Sequence, residues 1–348
     1  VRTSRGWSGS AAIAFMLILG TSMTVSTPVV AAVTCLQDEF GQPFVTLTAS
    51  LDRVTLRVGA GGALTYDPGT GFVPCGTATM TSTETITVND QSSGATQLII
   101  DLSGGPFAPG FSTEGGASPE VEFAVNLGES PGDDTLLDLV RVRGTSASDP
   151  LAAGTDGINL NPTEGAGVDA DVILQGMEGL ILEGLEGDDI IRMDGGFGTG
   201  TDVAGLRLAH IYGGPDEDRT IGSDAMGSTA RRCEFVEFPV FVSVEGPAAE
   251  CHFGLGGADH LNGGGGRDSL FGGPGADRVQ GFGGRDRVEG DSGPDILTGN
   301  DNDDRLLGET GSDRLIAGSG DDVLEGGPGD DRCQGGTGRD RFFGCEFA

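Results

Sequence analysis

Ten aspartates recur every nine residues near the end of this 348-residue chain. They are Asp259, Asp268, Asp277, Asp286, Asp295, Asp304, Asp313, Asp322, Asp331 and Asp340. Carboxylates stacked in such a series repel one another unless something neutralises them. A hard divalent cation does so, since Ca²⁺ takes roughly six to eight oxygens from carboxylates and backbone carbonyls. Mg²⁺ fits less well, because it demands tight octahedral geometry and keeps its waters.

The elements that position these acids are legible around them. Two residues after each Asp stands an apolar residue: Leu261, Leu270, Val279, Val288, Leu297, Leu306, Leu315, Leu324, Cys333 and Phe342. Each nine-residue unit opens with Gly except at Ala317, and its fourth residue is Gly except at Asn302. The second position is looser, with Leu255, Phe282, Asp291, Asn300 and Glu309 alternating with glycines. Alternate side chains of a strand face opposite ways, so a strand of three residues buries its middle one and leaves the Arg before it in water. The six residues ahead of it turn the chain back, and glycine permits the positive φ that a tight turn needs. Two units make one flattened coil. Stacked coils pair their strands in parallel about 4.8 Å apart, so five coils give a roll roughly 24 Å long. One apolar residue in nine cannot bury a core alone, so the units are stable only when stacked. Glycine-rich disorder gives no reason for an apolar residue to hold one phase over this stretch. Collagen is excluded because Gly does not recur at every third residue.

The units GGPGADRVQ, GGPGDDRCQ and GGTGRDRFF resemble the RTX (haemolysin-type) calcium-binding nonapeptide repeat, G-G-x-G-x-D-x-U-x. The resemblance covers residues 254–343. It implies a parallel β-roll with Ca²⁺ held between neighbouring turns on one side. The ten Asp would be the side-chain ligands, and the gaps on both sides would take up to about eight ions.

Composition sets the surroundings. The formal charge is −33, and every strongly basic residue is Arg. The repeat block holds 18 acids and 9 arginines, whereas residues 33–253 hold 34 acids and 9 arginines, so most of the acidity lies upstream. Such a surface argues against nucleic acid and anionic membranes as partners. Arg2 and Arg5 precede the apolar run AAIAFMLILG, and small residues follow. That reads as an export signal over residues 1–32, cleaved after Ala32, with the remainder secreted and not inserted in a membrane. Six cysteines follow it, an even number in an oxidising setting. Proximity favours the pairs Cys35–Cys75, Cys233–Cys251 and Cys333–Cys345. The absence of any C-x₂-C pair argues against zinc.

Upstream, runs such as RVTLRVG, ETITVND, TQLIIDL and VEFAVNL are short β-prone segments split by turn residues. The fold class is therefore all-β: a C-terminal parallel β-roll behind an irregular β-solenoid or, alternatively, a β-sandwich. Five regions follow: residues 1–32 the signal; 33–195 β-rich; 196–253 a connection of loops and a disulfide hairpin; 254–343 the ten repeats; and 344–348 a cap. Two stretches, GDDTLL at 132–137 and GLEGDDIIR at 184–192, look like degenerate units. Asp134 and Asp189 are candidate ligands there, with solvated turn acids the preferred reading.

No catalytic motif is visible. There is no H-E-x-x-H or G-x-S-x-G, and the histidines are His210, His252 and His260. The chain reads as a secreted, non-enzymatic calcium-binding protein with a structural, adhesive or cell-surface role. A carbohydrate-active enzyme built on a β-solenoid is the alternative. The acid pair Asp188 and Asp189 is the feature that would serve it. The scarcity of aromatics for sugar stacking, with only Tyr66 and Tyr212 as tyrosines and no Trp after residue 7, counts against it.

Overall fold

The structure, a computed structural model, describes residues 33–346 apart from 49–52, 93, 109–120, 129–136, 161–169, 176–177, 196–198, 200–205, 207 and 223–249. The export segment 1–32, Asp134 and Cys233 lie outside the described residues. Among the described residues no helix is long and apolar enough to cross a membrane.

Two long sheets face each other, and almost every pairing between successive coils is parallel. The first sheet passes from Thr85–Asp90 through Glu122–Asn126 and on to Ile190–Arg192 and Arg219–Ile221. It then takes one strand per coil, from His260–Gly265 to Arg332–Thr337. The second passes through Arg53–Val58, Gln97–Asp101, Leu139–Arg143, Gly179–Glu183, Leu208–Gly214 and Glu250–Leu255, then from Ser269–Pro274 to Arg341–Phe343. The upstream region is therefore the irregular solenoid of the two readings. A sandwich needs antiparallel hairpins throughout, whereas here antiparallel pairs are confined to the N-terminal end and one excursion at Pro150–Gly154, Gly157–Asn159 and Val172–Gln175.

Alternation decides which side chains enter. In Arg53–Val58 and Thr85–Asp90 every second residue is buried, and in the repeats Leu261, Leu270, Val279, Val288, Leu297, Leu306, Leu315 and Leu324 are all fully buried. The Arg at the preceding position is exposed at 278, 287, 305, 314, 332 and 341, as strand geometry requires.

The ends of a solenoid expose unpaired strand edges and need caps. At the N-terminal end the antiparallel pairs Thr34–Gln37 with Pro43–Leu47 and Ala63–Asp67 with Val73–Thr79 lie at the two edges. The Cys35–Cys75 disulfide joins one sheet to the other there, with the Cα atoms 5.3 Å apart. At the C-terminal end Cys333–Cys345 links the last core position to the tail, Cα atoms 5.6 Å apart. Cys251 is also disulfide-bonded.

Residues 196–253, expected as loops and a hairpin, contain two regular strands, while the expected hairpin falls largely on 223–249, outside the described residues. Leu208–Gly214 and Arg219–Ile221 are solenoid strands, paired in parallel with the coils before and after them. The turn between them, GGPDED at 213–218, opens with two glycines and ends in Asp like the turns of the repeats.

Candidate metal centre

Each repeat places its Asp at the end of the turn, one residue before the strand. The column is fixed by a single repeated bond, in which the backbone N–H of one Asp donates to Oδ1 of the Asp one coil later. On one flank this links Asp259 to Asp277, Asp277 to Asp295, Asp295 to Asp313 and Asp313 to Asp331, at 2.8–2.9 Å. On the other it links Asp268, Asp286, Asp304 and Asp322 at 2.8–2.9 Å, and Asp322 to Asp340 at 3.2 Å. All ten predicted ligands therefore fall into two files on the turns. Nine are almost fully buried, while Asp340, at the end of its file, is half-exposed.

The second carboxylate oxygen is the notable one. Oδ2 of Asp259, Asp277, Asp286, Asp295, Asp304, Asp313, Asp322 and Asp331 is buried without a hydrogen-bond donor. A buried acceptor left so costs on the order of 1–3 kcal/mol, and more if charged. Eight such atoms in register need a common explanation.

The opening Gly of each unit shows what lies beside this oxygen. A methyl group on Gly254 would stand 2.3 Å from Asp259 Oδ2 and 2.4 Å from the Gly272 carbonyl oxygen of the next coil. Gly290 gives the same pair, Asp295 Oδ2 at 2.3 Å and Gly308 O at 2.9 Å. Glycine is favoured there because a side chain would crowd an oxygen cluster, although one unit opens with the buried Ala317. The second position has a different requirement. Leu255, Phe282, Asp291, Asn300 and Glu309 all adopt φ between 66° and 81°, in the left-handed region where glycines sit in the other units. Asn302, in place of a turn Gly, does likewise at φ 76°, and a methyl on Gly320 would lie 2.2 Å from its carbonyl oxygen. These departures from the repeat thus keep the backbone and its carbonyls in place.

Burial pushes the carboxyls well above their ordinary range. Asp277, Asp286 and Asp313 rise to about 6, Asp259 and Asp295 to about 7, and Asp304 to about 8. The N–H of the neighbouring rung pulls each one back. For Asp259, Asp295 and Asp304 the charges of adjacent rungs raise it again.

The oxygen set suits a hard cation. Among the described residues no point gathers three or more His, Cys, Asp or Glu side chains for a metal. Ligands other than carboxylates would therefore be backbone carbonyls, which suits Ca²⁺ better than Zn²⁺.

Sequence reasoning missed part of the column. Asp189, expected as a solvated turn acid, is instead 1 % exposed, and its N–H donates to Asp218 Oδ1 at 2.8 Å. Asp218, in a stretch with no regular period, is 2 % exposed, and its N–H donates to Asp259 Oδ1 at 2.8 Å. Asp149 begins the file, donating to Asp189 Oδ1 at 2.7 Å. The signal was present in GGPDEDRTI at 213–221 and GTSASDPLA at 144–152, both with Asp in sixth place. Two of the three histidines serve packing. His210 Nδ1 lies 3.1 Å from the Tyr212 hydroxyl, and His252 Nδ1 lies 2.8 Å from Thr220 Oγ1, all four side chains being buried.

A family model of the RTX calcium-binding nonapeptide repeat matches residues 253–281, 280–315 and 307–342. No curated protein matches the chain. Residues 253–342 are RTX calcium-binding nonapeptide repeats, and the files formed by the ten repeat Asp lie within them.

Proposed function

We propose that this is an exported protein whose roll folds on meeting extracellular calcium, with the ten repeat Asp as side-chain ligands, and that the folded form serves a structural or cell-surface role. The observation that carries the reading is the file of buried Oδ2 atoms without a donor, most of them beside a carbonyl of the next coil. Bound there, Ca²⁺ supplies the positive charge that the file lacks. The chain's own residues do the rest. Each Asp Oδ1 holds the N–H of the coil before it, the opening glycines let carbonyls approach, and Leu or Val behind the turn fixes the strand. Binding to the folded form alone stabilises it by about 2.7 kcal/mol per site when calcium is a hundred times its dissociation constant. Low calcium inside the cell and high calcium outside would then confine folding to the far side of the membrane. The anionic surface supports an extracellular partner other than nucleic acid. The reading assigns binding, not catalysis, to this chain.

The test is region-resolved hydrogen exchange on the full chain, metal-free and then with Ca²⁺ or Mg²⁺. Protection of residues 254–343 by Ca²⁺ alone supports the reading. Equal protection without metal would reject calcium-driven folding.

A further inference from the structure

We propose a calcium site upstream of the recognised repeats, built on Asp189 and Asp218 with the carbonyl of Gly213. It rests on the calcium reading of the repeats, but the residues that would form it lie outside residues 253–342.

The Asp189 turn reproduces the oxygen pair of the repeats, and the Asp218 turn shares its buried carboxylate oxygen. Oδ2 of Asp189 and of Asp218 is buried without a hydrogen-bond donor, as in the repeats. A methyl on Gly184 would stand 1.9 Å from Asp189 Oδ2 and 2.6 Å from Gly213 O. The pair matches Asp259 Oδ2 and Gly272 O about Gly254. A methyl on Gly213 would likewise meet Asp218 Oδ2 at 2.4 Å. Leu185 at φ 86° and Gly187 at φ 111° repeat the backbone of the second and fourth repeat positions.

The next coil upstream places the same oxygen pair about a methyl on Gly144, Gly184 O at 2.2 Å and Asp149 Oδ2 at 2.7 Å, but differs in one bond. Asp149 sits in the same file, but its Oδ2 accepts the N–H of Thr145 in its own turn, and it is not fully buried. A local donor there takes the place that is left open at Asp189 and Asp218. The ion-binding part of the file therefore starts between Asp149 and Asp189.

The rungs survive although the coils between them change length. The separations are 40, 29 and 41 residues between Asp149, Asp189, Asp218 and Asp259, and 18 thereafter. An ion at Asp189 and Asp218 ties the last irregular coils to the roll. It does so beside the buried Thr220–His252 pair, which interrupts the otherwise apolar core.

The experiment counts calcium bound per chain by equilibrium dialysis at neutral pH. It uses the full chain, the double variant Asp189→Asn/Asp218→Asn, and Asp149→Asn. Asn keeps the Oδ1 acceptor and replaces Oδ2 with a donor. The double variant should bind at least one ion fewer, with Asp149→Asn equal to the unaltered chain. Equal counts for the double variant would overturn the proposal. No calcium on the unaltered chain would instead reject the reading of the repeats. Should the double variant lose its β circular dichroism, hydrogen exchange on the unaltered chain decides. Calcium should slow exchange about tenfold or more in 187–192 and 216–221. No slowing there while 254–343 responds would overturn the proposal.

Discussion

The coils from Val54 to Ile211 and those from Leu261 to Cys333 share two sheets and one strand pairing, yet they are held together differently. The upstream cluster packs several apolar side chains per coil, among them Phe123, Leu98, Ile100, Val140, Leu151 and Leu180, all essentially fully buried. The roll has mostly one inward side chain per strand, in single file. What the roll lacks in apolar area it has in buried carboxylate oxygens. Thr220 and His252 mark the change, since the apolar cluster ends at Ile211 and restarts at Leu261 on either side of them. On the calcium reading proposed above, a solenoid changes its source of cohesion, from hydrophobic burial to ion coordination, without changing its sheets.

Calcium removal tests this contrast most strongly. With chelator, residues 254–343 should lose nearly all exchange protection, whereas Arg53–Val58, Gln97–Asp101 and Leu139–Arg143 keep theirs. If both regions melted together, the division would be wrong. Truncating the two cores comes next. Leu98→Ala and Leu297→Ala should each cost about 2–5 kcal/mol, but only Leu297→Ala should move the calcium midpoint of folding upward, read by circular dichroism during titration.

Acid should act on the roll carboxyls and on His210 with opposite signs. Without metal, the roll carboxyls have folded pKa values raised from 3.8 to about 6–8 by burial. A raised acid favours folding fully below its unfolded pKa and loses that contribution as pH rises through the folded value. The metal-free roll should therefore gain β structure as pH falls from 8 towards 5. His210 is held at about 3 by burial, with Arg141 and His252 adding to the effect. A depressed base loses stability as pH falls from the unfolded value, 6.5, towards that folded value. His210 therefore weakens the upstream coils over that range, against the raised carboxyls of Asp138 and Asp189 in the same coils, and His210→Phe should raise their stability below pH 6.5 relative to the unaltered chain in a pH series of thermal melts. The smallest effect is expected at the second repeat position. Phe282→Gly relieves an exposed residue at φ 75° and should stabilise the calcium-loaded roll by about 1 kcal/mol or less, since a left-handed conformation disfavours a side chain by roughly that much.

The sequence by itself determined the roll. Asp in sixth place and an apolar residue in eighth place, both repeated without interruption, specify a turn and a two-sided strand through local geometry alone. The Cys333–Cys345 and Cys35–Cys75 pairs were legible for the same reason, from short separations at the chain's structural ends. The tertiary structure alone decided where the file begins. Asp149, Asp189 and Asp218 are separated by loops of unequal length, so no period connects them along the chain. They align only because parallel strands in adjacent coils lock the registers Ile190 to Arg219 and Arg219 to His260. Burial likewise separated Asp189 from a surface acid, because a carboxylate's environment is set by the coil above it and not by its neighbours in sequence.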